Sequence, residues 1–171
     1  MDGLKNLYMK TILSIDGGGI RGILPARILQ EMRRRLDKNG DATIQDAAAN
    51  LIITSFDTEA MEPHCIKKRD MHKDAYDDHN YYMRDAARAS SAAPTFFPPA
   101  RISPIVLEDK KYSLIDGAVF ANNPAGLAYV EAQKIFPEEK EFVILSLGTG
   151  DFKQGYSYEE VHAWGYMEFS G

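Results

Sequence analysis

Apolar and polar positions follow two different periods along this chain. Residues 10–16 contain the apolar run Ile12-Leu13-Ser14-Ile15, which reads as a buried strand. Over residues 23–38 the spacing changes. Leu24, Ile28, Met32 and Leu36 recur every four positions with Leu29 beside them, one stripe of a helix that faces a sheet. Gly40 marks its C-terminal cap region. Residues 41–50 are small and polar, then alanine-rich, and make a poor strand. Residues 51–57 are β-branched and predict a strong strand, followed by a shorter one over 64–67. Residues 69–80 are charged and lack apolar periodicity, so they predict an exposed loop, and 81–89 predict a helix. Pro94-Thr95-Phe96-Phe97-Pro98-Pro99 must be extended or turning. Leu114-Ile115 runs into a turn at Asp116-Gly117-Ala118. Asn123 as N-cap and Pro124 at the first helical position start a helix that buries Leu127, Ala128, Ala132, Ile135 and Phe136. Residues 142–147 form an apolar strand stopped by Gly148-Thr149-Gly150, and the aromatic, acidic tail from Asp151 carries no assignment. Strands interleaved with helices predict an α/β fold, a mostly parallel sheet with helices on its faces.

The strand at 10–16 meets its helix through Asp16-Gly17-Gly18-Gly19-Ile20-Arg21-Gly22, with Pro25 in the helix's first turn. A strand, a glycine turn and a helix N-terminus make an anion site. Glycines leave several N–H groups free to point one way. Two chemistries compete for the loop. Gly17, Gly19 and Gly22 satisfy G-x-G-x-x-G, the dinucleotide fingerprint, which alone is a weak signal. A dinucleotide site also wants a second strand ending in an acidic residue, and residues 41–50 do not supply one. The other chemistry is an oxyanion hole for acyl transfer.

Composition narrows the partners. The 171 residues make a single domain with an ordinary globular composition. A net charge of −5 argues against nucleic-acid binding. The basic runs at 33–35 and 67–69 read as solvated faces, with anionic lipid head groups as the other reading. Cys65 is the only cysteine, which excludes an internal disulfide. No apolar run has the length of a membrane span, and no signal-peptide core precedes the first strand. The expected location is cytoplasmic, with secretion by a route needing no signal peptide left open.

The string Asp-Gly-Gly-Gly-Ile-Arg-Gly at 16–22 resembles the N-terminal motif of the patatin-like phospholipases. Three further stretches support that resemblance. Residues 84–94, Arg-Asp-Ala-Ala-Arg-Ala-Ser-Ser-Ala-Ala-Pro, resemble a helix and proline turn of the family. Asp116-Gly117-Ala118 resembles its D-G-[GA] motif, and Leu145-Ser146-Leu147-Gly148-Thr149-Gly150 resembles the strand and loop that follow. The resemblance implies a three-layer α/β architecture and hydrolysis of lipid acyl esters through a Ser–Asp dyad, without metal or cofactor. It implies Asp116 as the dyad's aspartate. It implies Gly17, Gly18, Gly19, Arg21 and Gly22 as the oxyanion loop. The implied partner is a lipid or acyl-ester substrate, met in transient contact with a membrane surface.

The family's nucleophile sits in G-x-S-x-G, a sharp strand-to-helix elbow, and no G-x-S-x-G occurs in this chain. Its expected place is the junction near residues 46–50, so the fold is expected to lack a central strand and its elbow. Two other serines are candidates to fill that gap. Ser146 has Gly148 two residues on but Ile144 where an elbow needs a small residue. Ser91 follows a helix instead of a strand. Both read as structural. His72, Asp74, Asp77, Asp78 and His79 cluster in sequence, but at no metal-binding spacing. Phe96 and Phe97, between prolines, have two readings, contact with lipid and burial in the core, and burial is the one expected. Three functions stand side by side: a patatin-like acyl hydrolase domain without its nucleophile, a non-catalytic binding or regulatory remnant, and a nucleotide-binding module. A missing strand forces 11–15 and 51–57 to pair directly or leaves sheet edges open to self-association.

Overall fold

The computed structural model describes residues 10–16, 42–47, 49–68, 80–148 and 155–162. The predicted helix at 23–38, the glycine loop 17–22 and the charged stretch 69–79 lie outside the described residues. Six strands are described: β1 Lys10–Ile15, β2 Ile52–Asp57, β3 Glu62–Lys67, β4 Ala100–Ile102, β5 Tyr112–Asp116 and β6 Phe142–Leu147. The helices are α1 Met83–Ser90, α2 Ala118–Ala121, α3 Ala125–Ile135 and α4 Tyr158–His162. The α/β class holds. Its parallel part is the pair β1–β6, and a separate antiparallel sheet has the order β3-β2-β5-β4.

The antiparallel sheet follows from its connections. β2 and β3 are joined by a four-residue turn, and only antiparallel neighbours can be joined so tightly. Asp57 shapes that turn, its Oδ1 accepting the N–H groups of Glu59 at 2.9 Å and Ala60 at 3.4 Å. Pro63 lacks an N–H and sits on β3, an edge strand of this sheet. The core lies between the sheet and α1: Ile44, Ile66, Tyr81, Ala86, Ala89, Ala100, Ile102 and Leu114 are buried. Ala86 and Ala89, three positions apart, give α1 a narrow face that lets it lie close against the sheet.

Residues 42–46 are fastened to 80–83. Ile44 N–H donates to Tyr81 O and Met83 N–H to Ala42 O, each at 2.9 Å, and Thr43 and Tyr82 form a β-bridge. A 3-10 turn, Ile44–Asp46, occupies the stretch that the sequence left without a strand.

β1 pairs with β6, not with β2, in the register Lys10↔Phe142 to Ile15↔Leu147. α3 covers one face of the pair. Lys10 Nζ lies 4.7 Å from the Phe136 ring centroid, and Tyr129 meets Phe142 edge to face at 5.6 Å. On α3 itself only Ala132 is buried. Ile135 is exposed, against expectation. Among the described residues little lies over the other face of the pair: Leu13 is 47% and Leu145 53% exposed. Among the described residues each strand of this pair has one neighbour only.

An ion cluster ties α3 to β3. Glu131 Oε1 lies 2.9 Å from both Lys67 Nζ and Lys134 Nζ. Burial alone would raise the Glu131 carboxyl. Hydrogen bonds and positive charge from Lys134 and Lys67 outweigh it and hold the group below the ordinary glutamate value. A carboxyl held low in the folded state adds stability above its unfolded pKa and loses that stability as pH falls through the folded value. Glu131→Gln is therefore expected to cost up to about 1 kcal/mol at neutral pH, since part of the attraction is screened by water. In urea melts at a pH well below the ordinary glutamate value, the difference from wild type should narrow. A difference unchanged at that pH would assign the effect to packing.

Candidate functional site

Asp116 is the last residue of β5, 5% exposed, with Ser55 of β2 opposite it. Its N–H donates to Ala92 O at 3.0 Å, which anchors the segment after α1 to the strand end. Its Oδ1 accepts the N–H of Ala118 at 2.8 Å. That is the local bond a turn aspartate makes to the backbone two residues on. Among the described residues no other group donates to this carboxylate. Gly117 follows at a place with no room for a side chain, because a β-carbon there would lie 2.5 Å from the carbonyl of Thr54. Ala118 opens α2. The D-G-A turn thus has a physical reading at each position: a hydrogen-bond acceptor, a residue without Cβ, and a helix start.

Asp116→Asn keeps an oxygen to accept the Ala118 N–H. The substitution is expected to shift stability by about 1 kcal/mol or less and to leave any residual esterase activity unchanged. Urea denaturation reads the first and a chromogenic ester the second. A large loss of a saturable activity would show that the carboxylate serves a hydroxyl.

A second polar group lies at the C-terminal ends of β1 and β6. Ser146 Oγ donates to Asp16 Oδ1 at 3.4 Å and accepts from Asn123 Nδ2 at 3.2 Å. Asn123 Oδ1 accepts the N–H of Ala125, so the same side chain caps α3. Pro124 stands at the cap position itself, one residue later than the sequence predicts. Asp16 N–H donates to Leu147 O at 2.9 Å. The chain of Asn123, Ser146 and Asp16 was not legible in sequence, because it depends on the register of two strands 130 residues apart. The nearest signal was the matching position of Ser14 and Ser146 before two strand-ending turns.

Of the residues predicted for the site, Asp116, Gly117 and Ala118 are described and adjacent. Gly17, Gly18, Gly19, Arg21 and Gly22 lie outside the described residues, as do His72, Asp74, Asp77, Asp78 and His79. Ser91 Oγ donates back to Ala87 O at 2.8 Å, a bond that ends α1. Cys65 is half-buried on β3. Burial pushes its thiol up, with Lys67 opposing and Glu131 adding to the rise, so it is a poor nucleophile. Phe96 and Phe97 correct the sequence reading. They are exposed, on a proline-bounded turn that no other element covers among the described residues. Among the described residues no helix is long and apolar enough to cross a membrane, and no group of His, Cys, Asp and Glu could hold a metal ion.

The family model for "Patatin-like phospholipase" matches residues 40–129, more than half of the chain. The chain belongs to the patatin-like phospholipase family. The matched stretch takes in α1, the proline turn and Asp116-Gly117-Ala118, and the glycine motif at 16–22 lies upstream of it. Patatin-like protein 2 of Arabidopsis thaliana is 31% identical over 153 residues, covering 77% of this patatin-like chain and 36% of that protein. Patatin group D-2 of Solanum tuberosum is 26% identical over 259 residues, covering 94% of this chain and 66% of that protein. A third relative, probable inactive patatin-3-Kuras 1 of Solanum tuberosum, is 29% identical over 149 residues, covering 78% of this chain and 39% of that protein. The chain thus spans between about a third and two thirds of the length of these relatives. The 259 positions aligned with patatin group D-2 exceed the 171 residues of this chain, so at least 88 of them (259 less 171) have no residue here.

Proposed function

We propose that this chain is a patatin-like lipid acyl hydrolase domain that keeps the aspartate and the oxyanion loop but lacks the nucleophile. The observation that carries the reading is Asp116. It sits at a strand end inside the family match, with a carboxylate bonded, among the described residues, only to its own turn. In a Ser–Asp dyad the serine oxygen attacks the ester carbonyl and the aspartate takes the hydroxyl proton. The aspartate then passes that proton to the departing alcohol, and glycine N–H groups hold the oxyanion. Water repeats the sequence to release the acid. Asp116 and Gly17 to Gly19 would fill the aspartate and oxyanion roles. What supports the missing part is the absence of G-x-S-x-G and the surplus of positions in the patatin group D-2 alignment.

The test is turnover of a short-chain lipid ester, with none expected above an Asp116→Asn control. Sequencing the transcript across codons 46–50 completes it. A longer frame holding G-x-S-x-G would make this chain a fragment of an active enzyme. A binding or regulatory remnant is the second reading, favoured by the same missing motif.

The thinly covered face of β1–β6 gives this reading a physical consequence. Leu13, Val143 and Leu145 are exposed on strands that each have one neighbour among the described residues. Open apolar edges recruit other chains. Size-exclusion chromatography with light scattering is expected to show oligomers or aggregates. A monodisperse monomer that melts cooperatively at high temperature would count against a missing central strand.

A further inference from the structure

Phe96 and Phe97 are 73% and 52% exposed on a turn bounded by Pro94, Pro98 and Pro99. The turn is well tied. Both N–H groups donate to Ala93 O, at 3.2 and 2.9 Å, and Thr95 takes a φ of 73°. Its base is fastened to the candidate site through the bond from Asp116 N–H to Ala92 O. β4 begins just after the turn with Ala100 opposite Leu114 and runs away from Asp116, since Ile102 lies opposite Tyr112. The two rings therefore stand at the Asp116 end of the antiparallel sheet. Met61, after β2, and Val106, after β4, are exposed apolar residues beyond the opposite end.

Charge supplies a second, independent observation. From residue 86 to residue 107 the chain has no acidic residue, although its net charge is −5. Within that stretch Arg88, in the last turn of α1, and Arg101, on β4, are both exposed. Exposed aromatic rings flanked in sequence by exposed arginines suit the boundary between head groups and acyl chains, where the rings enter apolar material and the cations meet phosphate.

We propose that the turn at 94–99 is a membrane-surface anchor: Phe96 and Phe97 enter an anionic phospholipid bilayer while Arg88 and Arg101 meet its head groups. The anchor brings the Asp116 end of the sheet to the lipid, and to that extent it rests on the acyl-ester reading above. Its test does not use hydrolysis.

The full chain is sedimented with vesicles of phosphatidylcholine containing about 30% phosphatidylserine, and with phosphatidylcholine alone. Binding is expected to the anionic vesicles and to weaken with added salt. Phe96→Ser with Phe97→Ser should lower partitioning at least about tenfold, with an unchanged circular dichroism spectrum. Phe96→Leu with Phe97→Leu, and Val106→Ser at the far end, should each stay within about threefold of wild type. No binding by wild type, or equal binding by the double serine variant, overturns the anchor. So does a ring-dependent dimer that ignores vesicles. Vesicle binding by a chain that hydrolyses nothing supports the anchor and agrees with a missing nucleophile. Hydrolysis of a soluble ester by a chain that ignores vesicles overturns the anchor and, separately, the reading that the nucleophile is missing.

Discussion

A fluorophosphonate probe is expected to leave every serine of this chain unlabelled, and a short-chain ester to give no burst of product. Such probes react with a serine only where a base and an oxyanion site converge on its oxygen. The two serines with some claim to that role are engaged elsewhere. Ser91 Oγ is bonded to Ala87 O, a backbone carbonyl that cannot take its proton. Ser146 Oγ lies 3.4 Å from Asp16, a long contact by the standard of hydroxyl–carboxylate bonds, and Asn123 occupies its acceptor side. It sits within β6, one residue before the strand's end, where the extended backbone does not turn sharply as an elbow does. The contrast with an active family member is all or none: stoichiometric labelling against a blank. Adduct mapped to Ser146 and abolished by Asp16→Asn would replace the dyad assigned to the D-G-A turn. Adduct abolished by Asp116→Asn would restore that dyad and require a serine beside it.

The largest loss of stability is expected at Gly117. Its φ of −66° is ordinary for any residue, so a substitution there is resisted by space alone. The space is taken by backbone: the carbonyl carbon and oxygen of Thr54 both stand 2.5 Å from where the new carbon would go. Thr54 is held on the central strand β2, between β3 and β5, and cannot retreat without breaking ladder bonds. Gly117→Ala is expected to cost about 3 kcal/mol, at the upper end of overpacking penalties. Gly126 supplies the internal control. It lies within α3, and a carbon added there would meet nothing within 4 Å. Gly126→Ala should add up to about 1 kcal/mol through helix propensity. Urea melts of the two variants should therefore move in opposite directions from wild type. Equal stability of Gly117→Ala and wild type would mean that β2 and the D-G-A turn are not packed as described.

Sequence reasoning reached the elements and missed how they pair. β1, β2, β6, α1 and α3 could be read because each carries its own apolar period or cap, a local property. The antiparallel sheet could not, because β2 meets β5 about sixty residues later in the chain and nothing in either strand names its partner. For Phe96 and Phe97 the usual burial of aromatic rings favours the core over lipid contact, and it does not see that on a proline-bounded turn the described residues leave both rings exposed. Asp116 was legible through its motif. Its neighbour Thr54, which explains Gly117, was not, since it touches the glycine through backbone atoms that any residue would have supplied.

Residues 42–44 are bonded to 81–83, so the chain enters and leaves the β2–β3 hairpin at a single point. The sheet thus depends on where the connection from β1 arrives and very little on its length. Closure entropy changes by only about 0.6 kcal/mol for each doubling of a loop. A connection lengthened or shortened upstream of Ala42 leaves the pairings of β2, β3, β4 and β5 in place. In a lineage, such a joint is a place where one genetic event can add or remove a whole segment while the sheet downstream still folds, separating inheritance of the scaffold from inheritance of the chemistry.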